Sequence, residues 1–165
     1  MSHMFEDCTE IGKLDLSSFN TKNATDILNM FKNCKNLWRI KLSIFNTEKI
    51  NDISHILDLC TEINTIDLTL SNPKNLINTL NMLKNYKNLK YLKITNFSTE
   101  NLTDMSHMFE GLENLEKLDI SSFNTKNVTN MNSMFKNCEN LEDLNLSNFN
   151  TKKVKDMTHM FEDCT

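Results

Sequence analysis

Glycine and proline are nearly missing from this chain: two and one, respectively, in 165 residues. An ordinary β-sandwich or barrel punctuates its strands with these residues, so that class is disfavoured. Asparagine, abundant throughout, must supply the turns instead. No apolar run approaches the roughly 20 residues of a membrane span, and Met1 to Glu10 lacks the basic-then-apolar layout of a signal peptide. The chain is therefore expected to be soluble. A surplus of basic residues is absent as well, with a formal net charge of -4 spread over interspersed charges of both signs. Nothing there would hold nucleic acid or an anionic membrane surface.

What the chain does have is a period. Units begin at Ile11, Leu37, Ile63, Leu89, Leu115 and Leu141, each 26 residues after the last, and residues 1–10 are the tail of a further unit. Counting from the first residue of a unit, all ten Phe fall at positions 9 or 21 and all ten Met at positions 17 or 20. The tail MSHMFEDCTE nearly repeats Met157 to Thr165, so the chain starts and stops in the same phase. Residues 1–165 thus read as a single repeat domain.

Each unit has two halves. Leu or Ile at positions 1, 4 and 6, as in Leu141, Leu144 and Leu146, marks a short strand with one face inward. Positions 17, 20, 21 and 24, as in Met157, Met160, Phe161 and Cys164, carry the spacing of one helix face. Asp or Asn at position 16 (Asp26, Asp52, Asn78, Asp104, Asn130, Asp156) is placed to cap such a helix. Phe149, Asn150 and Thr151 turn the chain between the halves, the Phe inward and the Asn suited to left-handed backbone. The expected fold is α/β: a leucine-rich-repeat solenoid, a curved parallel β-ladder with helices on the opposite face and one sheet surface open to solvent.

The pattern LxxLxL…F…MFxxCxxL resembles the BspA-like leucine-rich repeats, and more closely the mycoplasma-type surface lipoprotein repeats with the wording FNTxNVTDMSxMFxxC. Asn124 to Met131, Met108 and Phe109 carry the likeness, which covers nearly the whole chain. It implies an extracellular, surface-displayed protein with a role in adhesion or host contact, on a longer, membrane-anchored polypeptide with its own export signal. The unit Ile63 to Asn88 departs from the pattern, with Ser71, Pro73, Thr79 and Tyr86 in place of Phe, Thr, Met and Cys.

Residues with chemical potential recur by period rather than by task. Cys8, Cys34, Cys60, Cys138 and Cys164 all occupy position 24, where helix-to-helix spacing would keep them from pairing and leave them as core thiols. His3, His55, His107 and His159 occupy position 19 of alternate units, too far apart to share a metal, and read as solvated histidines on a helix surface. Charges alternate too, over 52 residues: position 22 reads Glu6, Lys32, Asp58, Lys84, Glu110, Lys136, Glu162, and position 5 reads Asp15, Lys41, Asp67, Lys93, Asp119, Asn145. Opposite charges in adjacent units act as register devices. No catalytic constellation or cofactor motif stands apart from the repeat, so neither enzymatic activity nor a cofactor is expected.

On the open strand surface, Trp38, Arg39, Lys41, Asp67, Tyr91 and Lys93 form the candidate ligand-binding set, because exposed aromatics with Arg anchor binding surfaces. A row of Ser17, Ser43, Thr69, Thr95, Ser121 and Ser147 runs beside them. The expected role is an interaction module for a protein or glycan. A structural spacer and end-to-end self-association, favoured by uncapped ends of matching phase, stand as alternatives.

Overall fold

A computed structural model describes residues 1–20, 23–45, 55–70, 83, 86–96 and 99–165. Among the described residues, six strands, β1 (Lys13–Asp15), β2 (Arg39–Phe45), β3 (Thr65–Leu70), β4 (Tyr91–Thr95), β5 (Lys117–Asp119) and β6 (Asp143–Leu144), form one parallel sheet in strict sequence order. Each strand lies a repeat beyond its neighbour: Lys13 beside Arg39, Arg39 beside Thr65, Thr65 beside Tyr91, Tyr91 beside Lys117. The molecule is a parallel β-solenoid. Period-two alternation sends Ile40, Leu42, Ile66, Leu68, Leu92, Ile94, Leu118 and Ile120 inward, where all are buried.

Among the described residues the expected helices on the opposite face are not there, Leu83 alone being helical. Where the second half of the unit is described, it folds as two four-residue turns in tandem, positions 17–20 and 21–24. The N–H of Met134 donates to the carbonyl of Met131 (3.3 Å) and that of Cys138 to Phe135 (3.1 Å); Met160 with Met157 and Cys164 with Phe161 repeat the arrangement. In eleven turns among the described residues the third residue has left-handed backbone, as a type II turn requires. His3, Asn29, His107, Ser133 and His159 supply it at position 19, and Asp7, Asn33, Leu59, Gly111, Asn137 and Asp163 at position 23, with φ between 53° and 77°.

N–H groups at positions 19, 21 and 23 point along the solenoid to the next turn: His107 to the carbonyl of Asn132, Phe109 to Met134, Gly111 to Lys136, each at 2.9 Å. A helix would have folded these bonds back onto its own preceding turn. Here a second ladder runs parallel to the sheet, and the chain is hydrogen-bonded up and down on both sides of the core. Because the first and last residues of each turn point inward, apolar side chains fall at 17, 20, 21 and 24, the spacing that imitates a helix face.

Position 16 makes the local bond expected of a cap without capping a helix. Asp26, Asp104 and Asp156 each accept the N–H two residues on at 2.8 Å, and Asn130 does so at 2.9 Å. Asp104, Asn130 and Asp156 also sit side by side in the ladder. Asp52, Asn78, Ser71, Pro73, Thr79 and Lys84 lie outside the described residues.

Phe123 is buried, and Phe19 and Phe149 pack against the core. Asn124 and Asn150, expected to take left-handed backbone, instead turn the chain through their side chains, whose Oδ1 atoms accept the N–H of Lys126 (3.2 Å) and Lys152 (3.1 Å). The threonine at position 11 has a sharper task. Buried Thr99 donates from Oγ1 to the carbonyl of Asn124 and accepts the Asn124 N–H; buried Thr125 does the same for Asn150. Each threonine clamps the turn that follows.

Position 21 builds an aromatic column. Phe5 stacks on Phe31 with ring centroids 5.4 Å apart, and Phe135 lies between Phe109 (5.6 Å) and Phe161 (5.3 Å). The position-24 thiols donate to carbonyls of that column one turn back: Cys34 to Phe5 (3.1 Å), Cys60 to Phe31 (3.0 Å), Cys138 to Phe109 (3.2 Å) and Cys164 to Phe135 (3.1 Å). Tyr86, which replaces the cysteine in its unit, sends its hydroxyl to the corresponding carbonyl of Leu57 at 3.0 Å. In that unit a polar donor is kept while its chemistry changes, whereas Leu112 fills the position in the next unit without one.

The five cysteines form no disulfide. Because these cysteines sit in tandem turns rather than helices, helix spacing is not what keeps them apart; each described bond to a carbonyl holds a sulfur in place. Burial pushes the Cys60 thiol up to about 12 and raises that of Cys34. Because the thiolate is the reactive form, a thiol reagent applied to the native protein at pH 8 is expected to label half-buried Cys8 and Cys164 first. Cys34, Cys60 and Cys138 should react only on unfolding, and peptide mass mapping of the labelled sites checks this.

Candidate functional site

Strands β1 to β6 hold positions 3 and 5 outward, so the register sets which side chains meet on the open face. At position 5 the order across the sheet is Asp15, Lys41, Asp67, Lys93, Asp119. Lys41 turns to Asp15 (3.8 Å) and Lys93 to Asp119 (2.9 Å). Asp67, flanked by a lysine on either side, makes no ion pair among the described residues. Toward β6 the face closes on itself further: Lys90 pairs with Glu116 at 2.6 Å, and Lys117 pairs with Asp143.

What stays open lies over β2 to β4. Arg39 and Tyr91 flank Thr65 on successive strands, with Asp67 two residues along the middle one. Arg39, like Asp67, makes no ion pair among the described residues. Trp38, 41% exposed, folds over Gly12; a Cβ at Gly12 would come within 3.1 Å of the indole Nε1, so the glycine gives the ring its seat. Thr69 and Thr95 share a hydroxyl hydrogen bond of 3.1 Å at the rim. Of the six residues picked from the sequence, Lys41 and Lys93 are engaged in ion pairs, while exposed Trp38 and half-buried Arg39, Asp67 and Tyr91 make none among the described residues. Pairing direction along the charge column separates them, and alternation alone could not reveal it.

The Lys93 ammonium, hydrogen-bonded to Asp119, holds that carboxyl below the usual carboxylate range, and its own pKa is raised in return. Hydrogen bonds from Ser17 lower Asp15, those from Thr158 lower Asp156, and Lys136 lowers Glu162. A carboxyl depressed in the folded state binds protons more weakly there than in the unfolded chain. Its stabilisation is therefore complete above the unfolded pKa, about 4, and is lost as pH falls through the folded value. Thermal melts should be flat between about pH 5 and 7 and drop progressively below about pH 4.

Histidines sit at turn corners rather than on helices. His3 Nδ1 lies 2.5 Å from Glu6, His55 3.0 Å from Asp58 and His107 2.8 Å from Glu110, and His159 pairs with Glu162. Each is exposed and faces the acid three residues on. Among the described residues no group of three or more His, Cys, Asp or Glu is placed to hold a metal ion, and no helix is long and apolar enough to cross a membrane.

The family model described as "Mycoplasma protein of unknown function, DUF285" matches residues 1–91 and, a second time, residues 77–165. The chain belongs to this family. No curated protein matches it. Each match spans more than three of the 26-residue units.

Proposed function

We propose that the chain is a non-catalytic interaction module of a bacterial surface protein, related to the BspA-like leucine-rich repeats and engaging a protein or glycan through the strand face. One observation carries this reading. Charges over β4 to β6 neutralise one another, while Arg39 and Asp67 are left without an ion pair among the described residues, beside Trp38 and Tyr91. Aromatic side chains with an arginine are the residue types that dominate binding energy at interfaces. Support for a surface location, on a longer anchored and exported polypeptide, comes from the likeness to mycoplasma-type lipoprotein repeats and from membership of a mycoplasma family.

The paired substitution Arg39→Ala with Tyr91→Ala, screened against extracellular-matrix proteins and glycan arrays, should abolish a binding signal given by the parent chain. Asp67→Asn should weaken it. Binding that survives the double substitution unchanged removes this face as the site. A spacer role is the second reading, favoured by the ion-paired regularity of the face from Lys90 onward. It is the reading left standing if the parent chain binds nothing on either array.

A further inference from the structure

A second opening lies away from the strand face, on the ridge of tandem turns. Lys32, Asp58, Leu59, Cys60, Tyr86 and Lys87 surround a cavity of about 610 Å³ that spans three successive turns and opens to solvent. That volume falls in the range of about 300–1,000 Å³ typical of small-molecule sites.

Leu59 is the residue that calls for an explanation. It holds position 23, the left-handed third residue of a turn, with φ at 62°. The other described residues with such backbone at this position are Asp7, Asn33, Gly111, Asn137 and Asp163, all types that tolerate it. Leucine does not, and it is 61% exposed besides. An apolar side chain held in unfavourable backbone and in water, at the mouth of a cavity, is accounted for by what it would touch.

The neighbours define that contact. Tyr86, in place of the usual cysteine, forms one wall and is anchored by its hydroxyl to the Leu57 carbonyl. Among the described lining residues are two ammonium groups, Lys32 and Lys87, and one carboxylate, Asp58, which His55 engages at 3.0 Å. Lys32 reaches Glu6 at 3.6 Å, whereas Lys87 makes no ion pair among the described residues. The thiol of Cys60 is committed to the Phe31 carbonyl and its pKa is pushed up, so it offers no nucleophile.

We propose that this cavity binds a small amphipathic anion, an apolar body on Leu59 and Tyr86 with its acidic group at Lys87. Binding is non-covalent and separate from the strand-face site. Anilinonaphthalene sulfonate, an aromatic anion, is the probe. In a fluorescence titration the parent chain should show one saturable site. Leu59→Asn should weaken it at least about tenfold, the effect of losing one buried leucine contact, while raising Tm by about 2–4 °C through relief of the turn. Lys87→Gln should weaken binding severalfold and flatten its salt dependence.

Amide shift mapping with the same probe should centre on residues 58–61 and 86–87. The proposal is overturned if Leu59→Asn binds as well as the parent, if the parent has no saturable site, or if the shifts centre on the exposed Met157 and Phe161 instead.

Discussion

Replacing Phe135 with Ala should lower the folding free energy by about 3–5 kcal/mol, among the largest effects of any single truncation in the chain. The ring is fully buried and stacked on both faces, against Phe109 and Phe161, so its removal opens a gap in a column that cannot collapse without shifting two turns. Phe161, 47% exposed with only Phe135 described as a stacking partner, should cost less than half as much when changed to Ala. Urea unfolding of the two variants checks the pair. Equal losses would mean that the column does not carry stability turn to turn, as nearest-neighbour stacking requires.

Thr125→Val should cost about 1–3 kcal/mol despite near-equal volume. The buried hydroxyl both donates to the Asn150 carbonyl (3.2 Å) and accepts the Asn150 N–H (2.6 Å). Valine leaves the N–H and carbonyl of Asn150 without this partner at a part-buried contact. Thr151, at the same position one turn later, is exposed and serves as the control: its change to Val should stay within about 0.5 kcal/mol. A Thr125→Val loss as small as that of Thr151→Val would refute the clamp.

The period, the strand order and the inward strand residues were legible because a register of 26 leaves only one way for Leu14, Ile40, Ile66, Leu92 and Leu118 to line up. The second half misled for a physical reason. Two consecutive turns that each bury their first and last residues place apolar side chains at i, i+3, i+4 and i+7, as one face of a helix does. The discriminating signal was present at positions 19 and 23, where His, Asn, Ser, Asp and Gly recur four residues apart. Such residues are poor in a helix interior and good in left-handed backbone. The histidine row belongs to the same signal: its regularity serves the turn corner and the acid three residues on.

On the strand face, Trp38, Arg39 and Tyr91 could be found by pattern, since an outward position holding an aromatic or an arginine is visible in any strand register. That Asp67 would be left over could not. Lys41 had two aspartates within reach, and only the fold shows that it leans to Asp15. The cavity at Leu59 was illegible for the same reason as the turns, because an exposed leucine in a helix would have been unremarkable.

The alternation of charge from turn to turn restricts how such an array can change length. At position 22, Lys136 sits against Glu162, and Lys32 against Glu6. Deleting one turn would bring acid over acid or base over base on the outer ridge, whereas deleting two restores every match. Natural length variants should therefore differ by 52 residues rather than 26, and each would lengthen or shorten the molecule by about 10 Å. The rod is a ruler graduated in double steps.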